Sequence, residues 1–211
     1  LGSTKGADLQ AVIDAIEAKE LNAGISIVVS NKEDAYILER ARKHNIDAVF
    51  MDSKGKEREE FDREVSEELD KHSVDLILAI GYMKILSPWL VNKWKNRIIN
   101  IHPSLLPQFA GGMNNDIHAK VLNSGAKETG CTLHFVTEEV DSGPVIMQKK
   151  VKVEKNETVE SLKAKVQKAE QEIIVKALKL HSLGKIKVEN GKNSFVKKMI
   201  NMKESCLQQT T

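Results

Sequence analysis

An α/β fold with a Rossmann-like, doubly wound and mainly parallel sheet is predicted for this 211-residue chain by three observations. Short runs rich in Ile and Val alternate with amphipathic stretches through the first hundred residues. The apolar runs have the length of strands, and the stretches between them are long enough for helices. After residue 102 the alternation gives way to two β-like runs in succession, which predicts an antiparallel strand pair in the C-terminal half.

The elements follow in order. Runs 24–30, 47–51, 75–80 and 97–101 read as short buried strands. Stretches 7–20, 32–44 and 56–72 carry helical periodicity: Leu9, Val12, Ile13 and Ile16 form one stripe, and Tyr36, Ile37 and Ala41 begin another. A loop over 103–115 leads to a short helix, 116–123. Strands 129–137 and 144–153 flank a turn, 138–143. A long helix, 159–183, closes the fold, 185–189 reads as a last edge strand, and the polar end has little to bury. With no internal repeat or linker, residues 1–211 are expected to be one domain, with halves 1–101 and 102–195 and a tail 196–211. The opening Leu1-Gly-Ser-Thr-Lys-Gly-Ala-Asp8 looks like a strand-to-helix loop, so a first strand of about five to eight residues is expected upstream.

Composition narrows the function classes. Basic and acidic residues number 32 and 30, a net charge of +2, which gives no strong electrostatic footprint for nucleic acid. Cys131 and Cys206 are too few and too scattered for a disulfide framework or a zinc site, and the reducing cytoplasm is the expected compartment. No apolar run approaches the ~18 residues of a membrane span, and no secretory signal is visible.

The chemistry concentrates in Ile98-Ile-Asn-Ile-His-Pro-Ser-Leu-Leu-Pro107 and Val140-Asp-Ser-Gly-Pro-Val145. On a strand, Asn100 and His102 point the same way, at the carboxyl end where ligands of open α/β sheets bind. A carboxylate from a later turn, Asp141, is placed to orient or charge the imidazole. These three suit acyl chemistry without metal or covalent nucleophile: an amide donor for an oxyanion, an acid–base imidazole, and a carboxylate that raises the histidine's pKa. An isolated Asn-x-His is usually a strand-end cap. The Pro-Ser-Leu-Leu-Pro behind it and the Asp-Ser-Gly-Pro downstream favour the catalytic reading.

These residues resemble the N10-formyltetrahydrofolate-dependent formyltransferases. Segments 30–41 (Ser-Asn-Lys-Glu-Asp-Ala-Tyr-Ile-Leu-Glu-Arg-Ala), 81–87 (Gly-Tyr-Met-Lys-Ile-Leu-Ser) and 134–146 (His-Phe-Val-Thr-Glu-Glu-Val-Asp-Ser-Gly-Pro-Val-Ile) resemble the branch that formylates glycinamide ribonucleotide. The resemblance runs from the first loop to about Gly191. It implies 10-formyltetrahydrofolate as cosubstrate, no metal, catalysis by Asn100, His102 and Asp141, and a small-molecule partner set. A monomer or weak homodimer is expected.

The resemblance also assigns ligand positions. Gly6, Ala7 and Asp8 match the loop that holds the ribonucleotide phosphate, where helix N–H groups converge, and Lys5 beside them compensates the charge of Asp8. Ala7 and Asp8 depart from the Ser and Asn common in the family, and a carboxylate there suits a phosphate only if it turns away to cap the helix. Glu170 matches a ribose-binding residue, with Gln167 one turn earlier. Met83, Lys84, Ile85 and Leu86 match the pterin clasp, Arg58 a basic residue near the folate, and Thr137, Glu138, Glu139, Val140 and Asp141 complete that pocket with Asn100. Trp89 and Trp94 read as packing residues, and His118 and His134 as structural histidines, the latter with a possible supporting role. Loop 108–115, with Gly111 and Gly112, is expected to be a flap. The competing readings are a formyltetrahydrofolate deformylase, a formyltransferase acting on tRNA, and an inactive binding module. The nearly neutral single domain disfavours the tRNA reading.

Overall fold

In the computed structural model, which describes residues 1–111, 117–189 and 192–195, the sheet is assembled at the chain's first two residues. Strands β1 (Val28–Ser30) and β2 (Ala48–Phe50) are parallel, as are β3 (Ile77–Ala79) and β4 (Ile98–His102). Gly2 donates its N–H to the Val29 carbonyl (3.0 Å), and Ile80 donates to the Leu1 carbonyl (2.8 Å). Leu1 and Gly2 therefore occupy the position between β1 and β3 that a first strand would fill. Beyond β4, the strands β5 (Glu128–Phe135) and β6 (Val145–Lys152) add antiparallel.

Helices cover both faces, as double winding requires. On one face α1 (Ala7–Glu17), α2 (Tyr36–Lys43), α5 (Ile117–Asn123) and α6 (Val159–Ser182) bury a core that includes Leu9, Ile37, Ile99, Ile101, Val121 and Ile174. On the other, α3 (Arg58–Lys71) and α4 (Pro88–Lys93) pack Phe61, Val65, Leu90 and Trp94 onto Val29, Ile77 and Ile98. The alternation of Ile98 with Ile99 between these two cores fixes which way β4 faces. Asn100 and His102 share parity with Ile98, so they lie on the α3–α4 side.

Helix α6 begins at a reciprocal cap in which Thr158 accepts from the Ser161 N–H and Ser161 Oγ accepts from the Thr158 N–H. Its buried stripe is Leu162, Val166, Ala169, Glu170, Ile173, Ile174 and Ala177, the spacing of one helical face. A glutamate in that stripe breaks the apolar pattern.

Three elements differ from expectation. Helix α4 is additional; Ser87 caps it through the Leu90 N–H (3.3 Å) and Pro88 starts it, a signature that the short length concealed. The first apolar run is a strand only over 28–30, because β2 offers just three partners. Strand β7 (Ile186–Glu189) exists but is not an edge of the main sheet; it pairs with β8 (Lys192–Phe195) in a separate hairpin. Residues 112–115 of the expected flap, Cys206 and the tail 196–211 lie outside the described residues. Among the described residues, no helix is long and apolar enough to cross a membrane.

Leu162 is fully buried between α6 and the sheet. Leu162→Ala is expected to cost about 3 kcal/mol of stability, read as a lower urea midpoint with an unchanged slope.

Candidate active site

The site is built where β4 ends. His102 Nδ1 lies 3.4 Å from Asp141 Oδ2, and both side chains are nearly inaccessible to water. Asp141 reaches this position from the β5–β6 turn in a left-handed conformation, φ 55°, which Asp tolerates better than most residues. The turn holds itself together: Thr137 and Ser142 hydroxyls both donate to the Glu139 carbonyl (3.0 and 2.8 Å). Gly143 is required there, since a Cβ would lie 1.8 Å from the Phe135 carbonyl oxygen.

Asn100 stands opposite His134 in the antiparallel register, and its Nδ2 is 3.1 Å from His134 Nε2. The other nitrogen of that ring, Nδ1, is 3.0 Å from the Phe135 carbonyl. A neutral His134 therefore carries its proton on Nδ1, leaving Nε2 to accept from the Asn100 amide. That bond turns the amide nitrogen inward and leaves a second N–H free to donate. His134 Nε2 is also 3.6 Å from Asp141 Oδ1, so four side chains form one cluster. The supporting part of His134 was the weaker expectation from sequence; only the β4–β5 register puts it against Asn100.

Electrostatics here are governed by burial. The pKa of His102 lies below its ordinary value because desolvation outweighs the opposing pull of Asp141 and of the Phe109 carbonyl. His134 is lowered for the same reason, again against Asp141. The expected rise of the His102 pKa thus does not occur. The carboxylate acts in the expected direction, and the loss of water is larger.

The loop after β4 closes on this cluster. The Phe109 carbonyl is 3.3 Å from His102 Nε2, the Gly111 N–H donates to Asp141 Oδ2 (2.9 Å), and Ser104 Oγ donates to the Gln108 carbonyl (2.7 Å). Beside it opens a cleft of about 570 Å³ lined by Lys56, Arg58, Met83, Lys84, Ile85, Gly111 and Val140. Five of the residues expected near a folate meet here. Met83, Ile85 and Val140 stay 40–42% exposed, an apolar surface without a protein partner. Leu86 packs into the α3–α4 core. Thr137 stays in the turn, Glu138 accepts from Asn92 Nδ2 (2.8 Å), and Glu139 contributes the carbonyl already described.

Asp62, which sequence reasoning passed over, anchors the cleft wall. It is wholly buried and accepts from the Ser87 N–H at 2.5 Å, pinning the far end of segment 83–86. Its signal was a charged residue in the buried stripe of α3. Trp94 is a core residue whose indole donates to Ser66 Oγ (3.0 Å), while Trp89 lies under the Arg63 guanidinium (4.1 Å). His118 is buried in α5.

The first loop lies at the same sheet end. Ser3 Oγ donates to Asn31 Oδ1 (2.5 Å) and accepts from the Met83 N–H (2.9 Å), which ties this loop to the cleft wall. Gly6 starts α1 with φ +64° and packs so tightly on Ile37 that a Cβ would approach it to 2.4 Å. Among the described residues no side chain caps α1, so the condition under which Asp8 would suit a phosphate, turning away to cap the helix, is not met. Asp8 is buried instead, as is Glu170 of α6, while Lys5 is exposed, and Ala7 and Gln167 are half-buried. Among the described residues, no group of His, Cys, Asp and Glu could hold a metal ion.

Removing the Asp141 charge deletes an influence that raises the His102 pKa, so Asp141→Asn is expected to lower its titration midpoint further, followed by NMR of the imidazole protons. Gly143→Ala is expected to destabilise by at least about 2 kcal/mol, since backbone must move to admit the methyl group; chemical denaturation reads it.

Comparisons with known proteins identify the family and match the fold. A family model described as formyl transferase matches residues 1–178. A phosphoribosylglycinamide formyltransferase from Escherichia coli (strain K12) is 39% identical over 191 residues, covering 88% of this chain and 87% of that protein. The trifunctional purine biosynthetic protein adenosine-3 of Chironomus tentans is 42% identical over 191 residues, covering 89% of this chain; the chain spans only 14% of that longer relative. The crystal structure of glycinamide ribonucleotide transformylase 1 from Symbiobacterium toebii superposes with a TM-score of 0.88 at 37% identity, covering 92% of this chain and 91% of the other. The chain belongs to the formyl transferase family.

Proposed function

We propose that this protein transfers the formyl group of 10-formyltetrahydrofolate to the amine of N1-(5-phospho-D-ribosyl)glycinamide, in purine biosynthesis. The products are the formylated ribonucleotide and tetrahydrofolate. The observation that carries the reading is the cluster of Asn100, His102 and Asp141 beside a cleft with an apolar wall and a basic rim.

The chemistry follows from what each group can do. Attack of the amine nitrogen on the formyl carbon makes a tetrahedral centre whose oxygen becomes negative. The free N–H of Asn100 donates to that oxygen, a contribution typically of ~10²–10³ in rate. Loss of a proton from the attacking nitrogen needs a base. Neutral His102, its pKa lowered by burial, supplies one and then returns the proton to N10 of the departing folate. Asp141 orients the ring and balances its transient charge. The Phe109 carbonyl lies where Nε2 would meet substrate, so this loop must shift as the ligands enter.

In the same reading, Arg58, Met83, Lys84, Ile85, Leu86 and residues 137–141 take the folate. Lys5, Gly6, Ala7, Asp8, Gln167 and Glu170 take the ribonucleotide. We read the chain as one formyltransferase domain that works in the cytoplasm on small molecules, as a monomer or weak homodimer, without nucleic acid, membrane or metal.

The absorbance change of 10-formyltetrahydrofolate, with and without the ribonucleotide, tests the reading. Acceptor-dependent loss of the formyl group is expected. Loss without acceptor would identify a hydrolase of the deformylase type, and no loss an inert binding module. His102→Ala is expected to lower turnover by ~10²–10⁴ while thermal unfolding shows a folded chain; near-normal kinetics would remove the mechanism.

A further inference from the structure

The cleft wall from Met83 to Leu86 is held at its two ends and left free between them. At the near end the Met83 N–H donates to Ser3 Oγ (2.9 Å). At the far end the Ser87 N–H donates to Asp62 Oδ2 (2.5 Å). Among the described residues, the main-chain groups of Lys84, Ile85 and Leu86 have no hydrogen-bond partner. Unpaired main-chain groups need water or a ligand, and Lys84 and Ile85 border the cleft.

A buried aspartate is a costly choice for the far anchor. Asp62 is fully buried on α3, and burial, the largest influence on its carboxyl, raises the pKa. Its Oδ1 is buried without a partner. A neutral acceptor in the same place would cost far less than a charge. The charge brings two gains that a neutral group lacks. A hydrogen bond to an ionised acceptor is short and roughly twice as strong as a neutral one. Lys84 and Arg58, both on the cleft rim, also favour the ionised form. The preceding residue adds a second grip: the Lys84 ammonium lies over the Phe61 ring (4.9 Å), and Leu86 packs against the core that contains Phe61. Two successive residues of α3 thus hold two points of the wall.

We propose that Asp62 is a positioning residue of the reaction: by holding the Ser87 main chain it keeps residues 83–86 in the form that receives the formyl donor. Asp62 does not itself line the cleft. It sets donor affinity through the wall, and the acceptor and the bond-making at His102 depend on other elements. The ligand part of this proposal rests on the function proposed above; the clamp on the main chain does not. If loss of the anchor leaves the competent wall populated about one-tenth of the time, the apparent Kd for the donor rises about tenfold. Such a loss raises the donor's KM and leaves kcat unchanged.

Asp62→Ala, Asp62→Asn and Leu162→Ala test this. Alanine removes the acceptor, whereas asparagine keeps an oxygen for the Ser87 N–H without the charge. Leu162→Ala lowers stability from α6 and controls for that loss. The first arm follows the Ser87 amide by NMR hydrogen exchange without ligand. Its exchange should quicken at least about tenfold in Asp62→Ala and less in Asp62→Asn, while the amides of β4 stay protected. The second arm measures binding of 5-formyltetrahydrofolate, a folate whose formyl group is not on N10, by calorimetry. Its Kd should rise about tenfold in Asp62→Ala, about threefold in Asp62→Asn, and not in Leu162→Ala. In steady-state kinetics the donor's KM should follow the same order, with kcat and the acceptor's KM within about twofold of the parent.

An unchanged Ser87 exchange rate, an unchanged donor Kd, an equal loss in Leu162→Ala, or a fall in kcat with donor affinity intact overturns the proposal. If Asp62→Ala does not fold, Asp62→Asn decides: faster exchange with weaker donor binding supports the clamp, and parent-like values of both overturn it. A parent that binds the folate but transfers nothing removes the function proposed above and leaves the positioning role to these two arms.

Discussion

The antiparallel register between β4 and β5 decides where every polar group of the site lies. It sets Asn100 opposite His134 and His102 opposite Thr132, while the shift in pairing between Leu133 and His134 falls on the other side of β5, against β6. A slip of one residue would turn Asn100 and His102 into the apolar core now filled by Ile99 and Ile101. Ile98 on one face and Ile99 and Ile101 on the other make that slip costly, because both faces of β4 are buried. The hydrophobic cores thus do more than stabilise the sheet: they hold two reactive side chains towards the end that α3 and α4 leave uncovered.

A second constraint is the scarcity of water around charged groups. His102, His134, Asp8, Glu170 and Asp62 are all buried, and for each of them burial is the largest influence on its proton. At the sheet end the outcome is an imidazole that is neutral near pH 7 yet keeps a carboxylate within 3.4 Å. Such a ring can take up a proton and release it with little change in the groups around it. Under α1 the outcome is different: Asp8 and Glu170 are both acids, and burial pushes each carboxyl up. For Asp62 it is different again: the carboxylate is spent on a backbone N–H and fixes one wall of the cleft.

The loops that carry function are tied to one another across the sheet. Ser3 links the first loop to Met83, Gly111 links the loop after β4 to Asp141, and Asn92 links α4 to Glu138. Each link joins segments far apart in the chain, so the arrangement of the cleft depends on the whole sheet. The turn with the left-handed Asp141 and with Gly143 against the Phe135 carbonyl is the most exacting of these positions.

The sequence by itself determined the order of strands and helices, α4 and the terminal hairpin excepted, and the shared face of Asn100 and His102, because strand and helix periodicities are local. The segments over 81–87 and 134–146 were legible as family motifs for the same reason. Tertiary structure alone decided the rest. His134 became Asn100's partner through pairing that no periodicity encodes, and Asp141 reached His102 through a turn closed by a glycine contact. The fall of the His102 pKa, against the pull of its carboxylate, came from burial by distant segments. So did the burial of Asp8, which does not serve as a helix cap. Local pattern reports which way a side chain points; how much water is left around it depends on everything that packs there.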